Sequence, residues 1–132
     1  MMNIIKLDQF SLILGRSLLG LYFLIPGLTK IFNYSDTLTL MESKDVPLAE
    51  IALPLTILIQ VIFSSSLMLN KYLRLSSLIL ATLTVLINIY IHDFWNLIDD
   101  PAQGHELQNF IKNLAIMAGL IILSTKEKTE NY

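Results

Sequence analysis

The sequence predicts an all-α membrane protein, with four transmembrane helices in an antiparallel bundle. Three observations predict it. The 132-residue chain is 54% hydrophobic and only 15% charged, whereas a soluble domain averages roughly 45–50% apolar and about 25% charged residues. A chain this short buries too small a fraction of itself to hide that much apolar surface from water. Four long apolar segments recur along it, and no stretch shows the ~10-residue alternation of a membrane β-barrel strand. In lipid a helix satisfies its backbone polar groups within its own segment, so a helical bundle follows.

The first predicted helix spans 10–32 and is interrupted by Arg16 and Lys30. It is longer than a signal-peptide h-region, and no small-x-small cleavage site follows, so it is read as a span. The connection 33–46 sets Tyr, Leu and Met between charges and is expected along the membrane interface. The second helix, 47–69, contains 19 uncharged residues from Ile51 to Leu69. The third, 73–94, contains 17 from Leu75 to Ile91. Crossing a ~30 Å hydrocarbon core takes about 20 helical residues. The fourth, 105–124, is broken only by Lys112. Residues 1–132 read as one integral-membrane domain without repeats or low-complexity linkers, and the 125–132 tail is expected to fray.

Charge sets the expected orientation. One end carries Lys6, Lys71, Arg74, Lys126 and Lys128, and the other Lys30 and Lys44. Positive-inside counting puts both termini in the cytoplasm. Eight of the 11 acids fall at the opposite end: Asp36, Glu42, Asp45, Glu50, Asp93, Asp99, Asp100 and Glu106. The net charge of −2 and the lack of a basic patch argue against nucleic acid. With no cysteine, the chain makes no disulfide, thiolate metal site or thiol redox couple.

Charged groups inside a bilayer are costly and point to function. On helix one, Arg16, Gly20, Phe23, Gly27 and Lys30 fall on one stripe at helical spacing, and the glycines invite close helix approach. On helix three, Asn88, His92 and Trp95 share a stripe. On helix four, His105, Asn109 and Lys112 do so, with Asn113 beside them. Both stripes reach the acidic end, where Glu50 and Asp93 meet them. Lys112 lies well inside its helix and is expected to take Glu50, Asp93 or Glu106 as its anion. His92, Lys112, His105, Asp93 and Glu50 are therefore the candidates for proton chemistry, because imidazole titrates near neutrality. Arg16, Lys30, Asn88, Trp95, Asn109 and Asn113 are candidates for holding a polar head group, such as a quinone carbonyl. Simpler readings stand beside these. Arg16 and Lys30 can snorkel. Tyr90, His92, Phe94 and Trp95 fit an aromatic belt, and Asn88, Asn109 and Gln60 fit interhelical bridging. His105 and Glu106 fit a helix cap. A metal site is not expected, because the two histidines, His92 and His105, form no paired ligand motif on one helix. No nucleophile triad, Walker loop or dinucleotide motif is present.

The string Arg16-Ser-Leu-Leu-Gly20-Leu-Tyr-Phe23-Leu-Ile-Pro-Gly27-Leu-Thr-Lys30 resembles the R-x3-G-x2-F-x3-G-x2-K opening of the DoxX family. His92-Asp-Phe-Trp95 and the run from His105 through Lys112 to Gly119 resemble the later part of an inner-membrane YphA-like subgroup. One departure is Ser64-Ser65-Ser66 and Asn70, where family members often carry glycines. The resemblance implies a four-helix bacterial inner-membrane protein. It also implies a redox setting, since the family takes its name from a subunit of a thiosulfate:quinone oxidoreductase.

Three functions remain open on the sequence. The first is an accessory or quinone/proton-site subunit of a membrane oxidoreductase assembly, with a protein partner or a second copy of the chain. The second is a non-catalytic membrane scaffold for a partner. The third is a small-solute or proton transporter, for which a dimer would double the four spans.

Overall fold

The computed structural model describes residues 3–125. Its helices are α1 (Ile4–Phe32), α2 (Tyr34–Ser43), α3 (Ala49–Met68), α4 (Leu73–Tyr90) and α5 (Gln103–Ser124), with a 3-10 turn at Phe94–Asn96. No strand occurs among the described residues. Four segments are long and apolar enough to cross a membrane, the third of them including the 3-10 turn. Lys126, Lys128 and the rest of the tail expected to fray lie outside the described residues.

Side-chain pairings give the bundle its direction. Gly20 faces Ser64 and Met68, while Gly27 faces Gln60 and Val61, so α1 and α3 run antiparallel. His92 pairs with Glu106 and Asn88 with Asn113, so the same holds for α4 and α5. Helix α1 packs chiefly on α3, α3 on α4, and α4 on α5. We call the end that carries α2 the upper end. There Met41, Ala49, Leu53 and Ile57 form one buried cluster. At the lower end Phe23, Leu67, Leu80, Ala81 and Leu120 form a second. A polar layer of Gln60, Thr84, Asn88 and Asn113, all buried, separates the two.

Element boundaries differ from the sequence expectation for local reasons. Helix α1 starts six residues before position 10, because the Asn3 side chain accepts from the Ile5 N–H and caps it. The register against α3 sets Arg16 level with the α3–α4 turn, so the first turns of α1 overhang the bundle and are exposed. The connection 33–46 contains a helix, α2, which docks on α3 through Met41 and Leu38. Helix α4 ends at Tyr90, not at 94. The Ile91 N–H still bonds the Ile87 carbonyl, at 2.8 Å, but the His92 N–H reaches five residues back to that same carbonyl, at 3.2 Å. That closing turn removes His92 and Trp95 from the helical stripe expected to join them to Asn88. Helix α5 starts at Gln103, where Asp100 Oδ1 accepts the Ala102 N–H at 2.8 Å.

Candidate functional site

The site is built where α1 leans away from α5. Helix α1 presents Tyr22, Pro26 and Lys30 at spacing four, hence on one face. Proline has no N–H, so Pro26 leaves the Tyr22 carbonyl without its usual helical donor. Helix α3 contributes Gln60, α4 contributes Thr84 and Ile87, the turn after α4 contributes His92, and α5 contributes Asn113. Together they line a half-open upper groove of about 560 Å³. Its mouth is apolar, with Leu18, Leu21 and Ile25 from α1.

Two kinds of polar group meet there. The first is satisfied. The Tyr22 hydroxyl donates to Asn113 Oδ1 at 2.5 Å, Asn113 Nδ2 donates to Asn88 Oδ1 at 2.9 Å, and Asn88 Nδ2 donates to the Phe110 carbonyl at 3.1 Å. This chain joins three helices and leaves none of those amide groups idle. The second kind is unsatisfied. Gln60 Oε1 is buried and has no hydrogen-bond partner, a state that costs about 1–3 kcal/mol unless a ligand or water relieves it. Among the described residues Lys30 has no carboxylate within ion-pair distance.

His92 stands between the groove and a carboxylate. Its Nδ1 lies 2.6 Å from Glu106 Oε2, and both side chains are about one-fifth exposed. Where Nδ1 donates to Glu106, Nε2 is left without a hydrogen-bond partner among the described residues. Beside it, Lys44 Nζ donates to Asp93 Oδ1 at 2.8 Å and Asn96 donates to Oδ2 at 3.1 Å. These contacts pin the end of α2 to the turn that carries His92. Phe94, Trp95 and Phe110 close the same corner edge-to-face, with centroids 5.2–5.9 Å apart.

The structure brings together Lys30, His92 and Asn113 of the sequence candidates, with Asn88 directly behind. It separates the others. Lys112 is exposed on the outer face of α5 and has no ion pair, contrary to the expected partnership with Glu50, Asp93 or Glu106. One residue is 100° on a helix, and the inward position belongs to Asn113. Asp93 takes Lys44 and Glu106 takes His92 instead. His105 is exposed, and Glu50 lies exposed in the first turn of α3. Asn109 is half-buried outside the groove lining, and Trp95 belongs to the aromatic corner. Arg16 lies at the lower end. Tyr22 and the Lys44–Asp93 pair are absent from the sequence reading. The spacing of Tyr22, Pro26 and Lys30 was the available signal for Tyr22. No group of three or more metal-ligating side chains occurs among the described residues.

Comparison with known proteins agrees with this architecture. A family profile described as DoxX matches residues 11–93. The match runs from Ser11, within α1, through α4 and stops before the α5 run from His105 to Gly119. The chain is 29% identical over 119 residues to the Inner membrane protein YqjF of Escherichia coli (strain K12), which covers 90% of this chain and 85% of that protein. No solved structure matches.

Proposed function

Because this chain belongs to the DoxX family and is a multi-pass inner-membrane protein, we propose that it serves as a small accessory subunit of a membrane redox assembly. In this reading the upper groove receives the polar head of a quinone. The observation that carries it is that one groove, open on its apolar side, is lined both by Gln60, whose buried Oε1 is an orphaned acceptor, and by a donor, Lys30. A quinone needs both, because its oxidised form offers carbonyl acceptors and its reduced form offers hydroxyl donors. Lys30 would donate to a ring carbonyl. Gln60 Oε1 and His92 Nε2 would accept hydroxyls. His92 would hold a proton with Glu106 balancing its charge, and the acidic upper end lies next to that pair. A bound quinone supplies two-electron, two-proton chemistry. The apolar mouth leaves room for its tail in the bilayer.

Both termini are assigned to the cytoplasm and the upper end to the extracytoplasmic side. Lys6, Lys71 and Arg74 at the lower end, against Lys30 and Lys44 at the upper end, support this; eight of the nine acids within the described range make the upper end acidic.

Trp95 is the only tryptophan, and quinones quench indole fluorescence. Titrating the purified protein in detergent with a short-chain ubiquinone should give saturable quenching. Lys30→Met should weaken it about tenfold, as expected for losing one charge-assisted hydrogen bond. Unaltered quenching in both Lys30→Met and Gln60→Leu would refute the quinone reading. The scaffold reading is favoured by one observation, the fully satisfied Tyr22–Asn113–Asn88 chain, which is what interhelical bridging requires. It predicts that Lys30→Met lowers partner co-purification and leaves quenching unchanged.

A further inference from the structure

The lower end of the bundle carries a second and larger groove, of about 1070 Å³, that the proposed function does not use. It lies on the same open side of α1, bounded by Gly15, Arg16 and Leu19, by Arg74 and Leu78 of α4, and by Gly119 of α5 among others. The surface it exposes is mostly apolar, yet two guanidinium side chains reach it. Arg16 is half-buried, and its Nε is buried without a hydrogen-bond partner. The ion pairs among the described residues are Lys44–Asp93 and His92–Glu106, so neither arginine has a carboxylate there. A partly desolvated guanidinium draws an anion, and its planar fork fits phosphate oxygens two at a time.

Depth decides what kind of anion. The antiparallel register that sets Gly20 against Ser64 and Met68 places Arg16 level with the α3–α4 turn. Arg74 stands in the first turn of α4, so both cations sit at the end of the bundle, at head-group level. Above them, toward the bilayer centre, the groove continues between Leu19, Leu78 and Gly119, which is tail depth. The wall at Gly15 faces open space, since a Cβ there would meet no atom within 4 Å. A free phosphate would satisfy the arginines and leave the aliphatic part unfilled.

We propose that the lower groove binds one anionic phospholipid, its phosphate between Arg16 and Arg74 and an acyl chain along Leu19 and Leu78. The site is separate from the upper groove and stands whether or not that groove takes a quinone.

Native mass spectrometry of the full chain in detergent tests this, with dioleoyl phosphatidylglycerol and dioleoyl phosphatidylethanolamine as the two probes. Phosphatidylglycerol should bind at a stoichiometry of one and about tenfold tighter than the zwitterionic lipid. Arg74→Gln should lower its occupancy about tenfold. Arg16→Gln should do the same where it folds. Gly15→Leu sets a side chain into the groove from a position whose Cβ meets no protein atom within 4 Å and leaves both arginines, so it keeps the test decisive if Arg16→Gln does not accumulate. It should reduce lipid occupancy to a similar degree. Lys71→Gln, a cation at the same end outside the groove lining, should bind as wild type. Wild-type occupancy in both Arg74→Gln and Gly15→Leu would overturn the proposal, as would equal binding of the two lipids. Inorganic phosphate that displaces phosphatidylglycerol at equal concentration would overturn it in favour of a soluble anion.

Discussion

Helix α1 meets the rest of the bundle along two seams of opposite character. Its seam with α3 is closed. Gly20 and Gly27 let the α3 backbone come close, and Phe23 between them is fully buried. Its seam with α5 is open, crossed by the Tyr22–Asn113 hydrogen bond and by Leu19 resting against Gly119. Both grooves lie on that open side, lined by Arg16 in one and by Lys30 and Gln60 in the other. The difference teaches where each residue type does its work. Hydrophobic burial drives no association between helices already in lipid, so the closed seam depends on small residues and close packing. The open seam carries the polar groups, where a bilayer molecule can reach them.

The largest effect is expected from closing volume on the tight seam. A Cβ at Gly27 would lie 2.9 Å from Gln60 Cβ and 3.3 Å from Val61 Cγ2, both tied closely to the α3 backbone. A Cβ at Gly20 would meet Cγ and Sδ of Met68, an unbranched side chain that must swing away, and the Ser64 carbonyl at 3.2 Å. Gly27→Leu should therefore destabilise by about 3 kcal/mol and Gly20→Leu by about 1–2 kcal/mol, within the usual range for overpacking. Leu21→Ala, on a residue 40% exposed, should change little. Thermal unfolding in detergent checks the order. Equal melting of the three variants would break the contrast between seams.

Much of the fold was legible in the sequence, because composition and span length alone dictate four membrane helices. The glycine stripe was legible too, since Gly20, Phe23 and Gly27 share one helical face whatever the neighbour. The site was legible only in part. Asn88 and Asn113 could be placed from their helices. His92 could be placed at the upper end, but its partner depended on how α4 closes, and no periodicity reports a turn in which one N–H reaches back five residues. Lys112 was misplaced by a single step on α5. An apolar helix with few polar residues gives a weak moment, so a 100° error costs nothing in the pattern and moves a charge from groove to outer surface. Lys44 was invisible as a partner for Asp93, because α2 brings together residues 49 apart in sequence.

The next effect is on the open seam. Asn113→Leu removes both the acceptor for Tyr22 and the donor to Asn88. Unpaired buried polar groups cost about 1–3 kcal/mol in water-soluble proteins, while interhelical hydrogen bonds in membranes average about 0.6 kcal/mol. The membrane figure applies here, with two bonds lost, so roughly 1 kcal/mol is expected. Tyr22→Phe removes one bond and should cost about 0.6 kcal/mol. Both should loosen α1 from α5 without touching the α1–α3 seam. Hydrogen exchange should therefore rise in α5 around Asn113 and stay unchanged around Gln60 to Ser64. A rise in both places would mean the two seams are one cooperative unit.

The smallest effect sharpens the comparison most. Lys112 and Lys30 are both lysines inside predicted spans, and sequence alone gives Lys112 the stronger claim to a function. The structure reverses that ranking. Lys30 is half-buried in the upper groove beside Gln60 and His92, whereas Lys112 is exposed on the far face of α5 and forms no ion pair among the described residues. An exposed ammonium on a long stem can extend along the helix toward the head groups, so removing it leaves no partner unpaired. Lys112→Met keeps length and apolar bulk and should leave melting temperature, quinone quenching and membrane abundance at wild-type levels. Lys30→Met makes the same chemical change and should weaken quenching about tenfold with little loss of stability. Measured side by side, the two variants separate the groove from the charge. If Lys112→Met loses quenching and Lys30→Met does not, the chemistry lies on the outer face of α5, in a contact between this chain and another, and the open seam of α1 is only a gap.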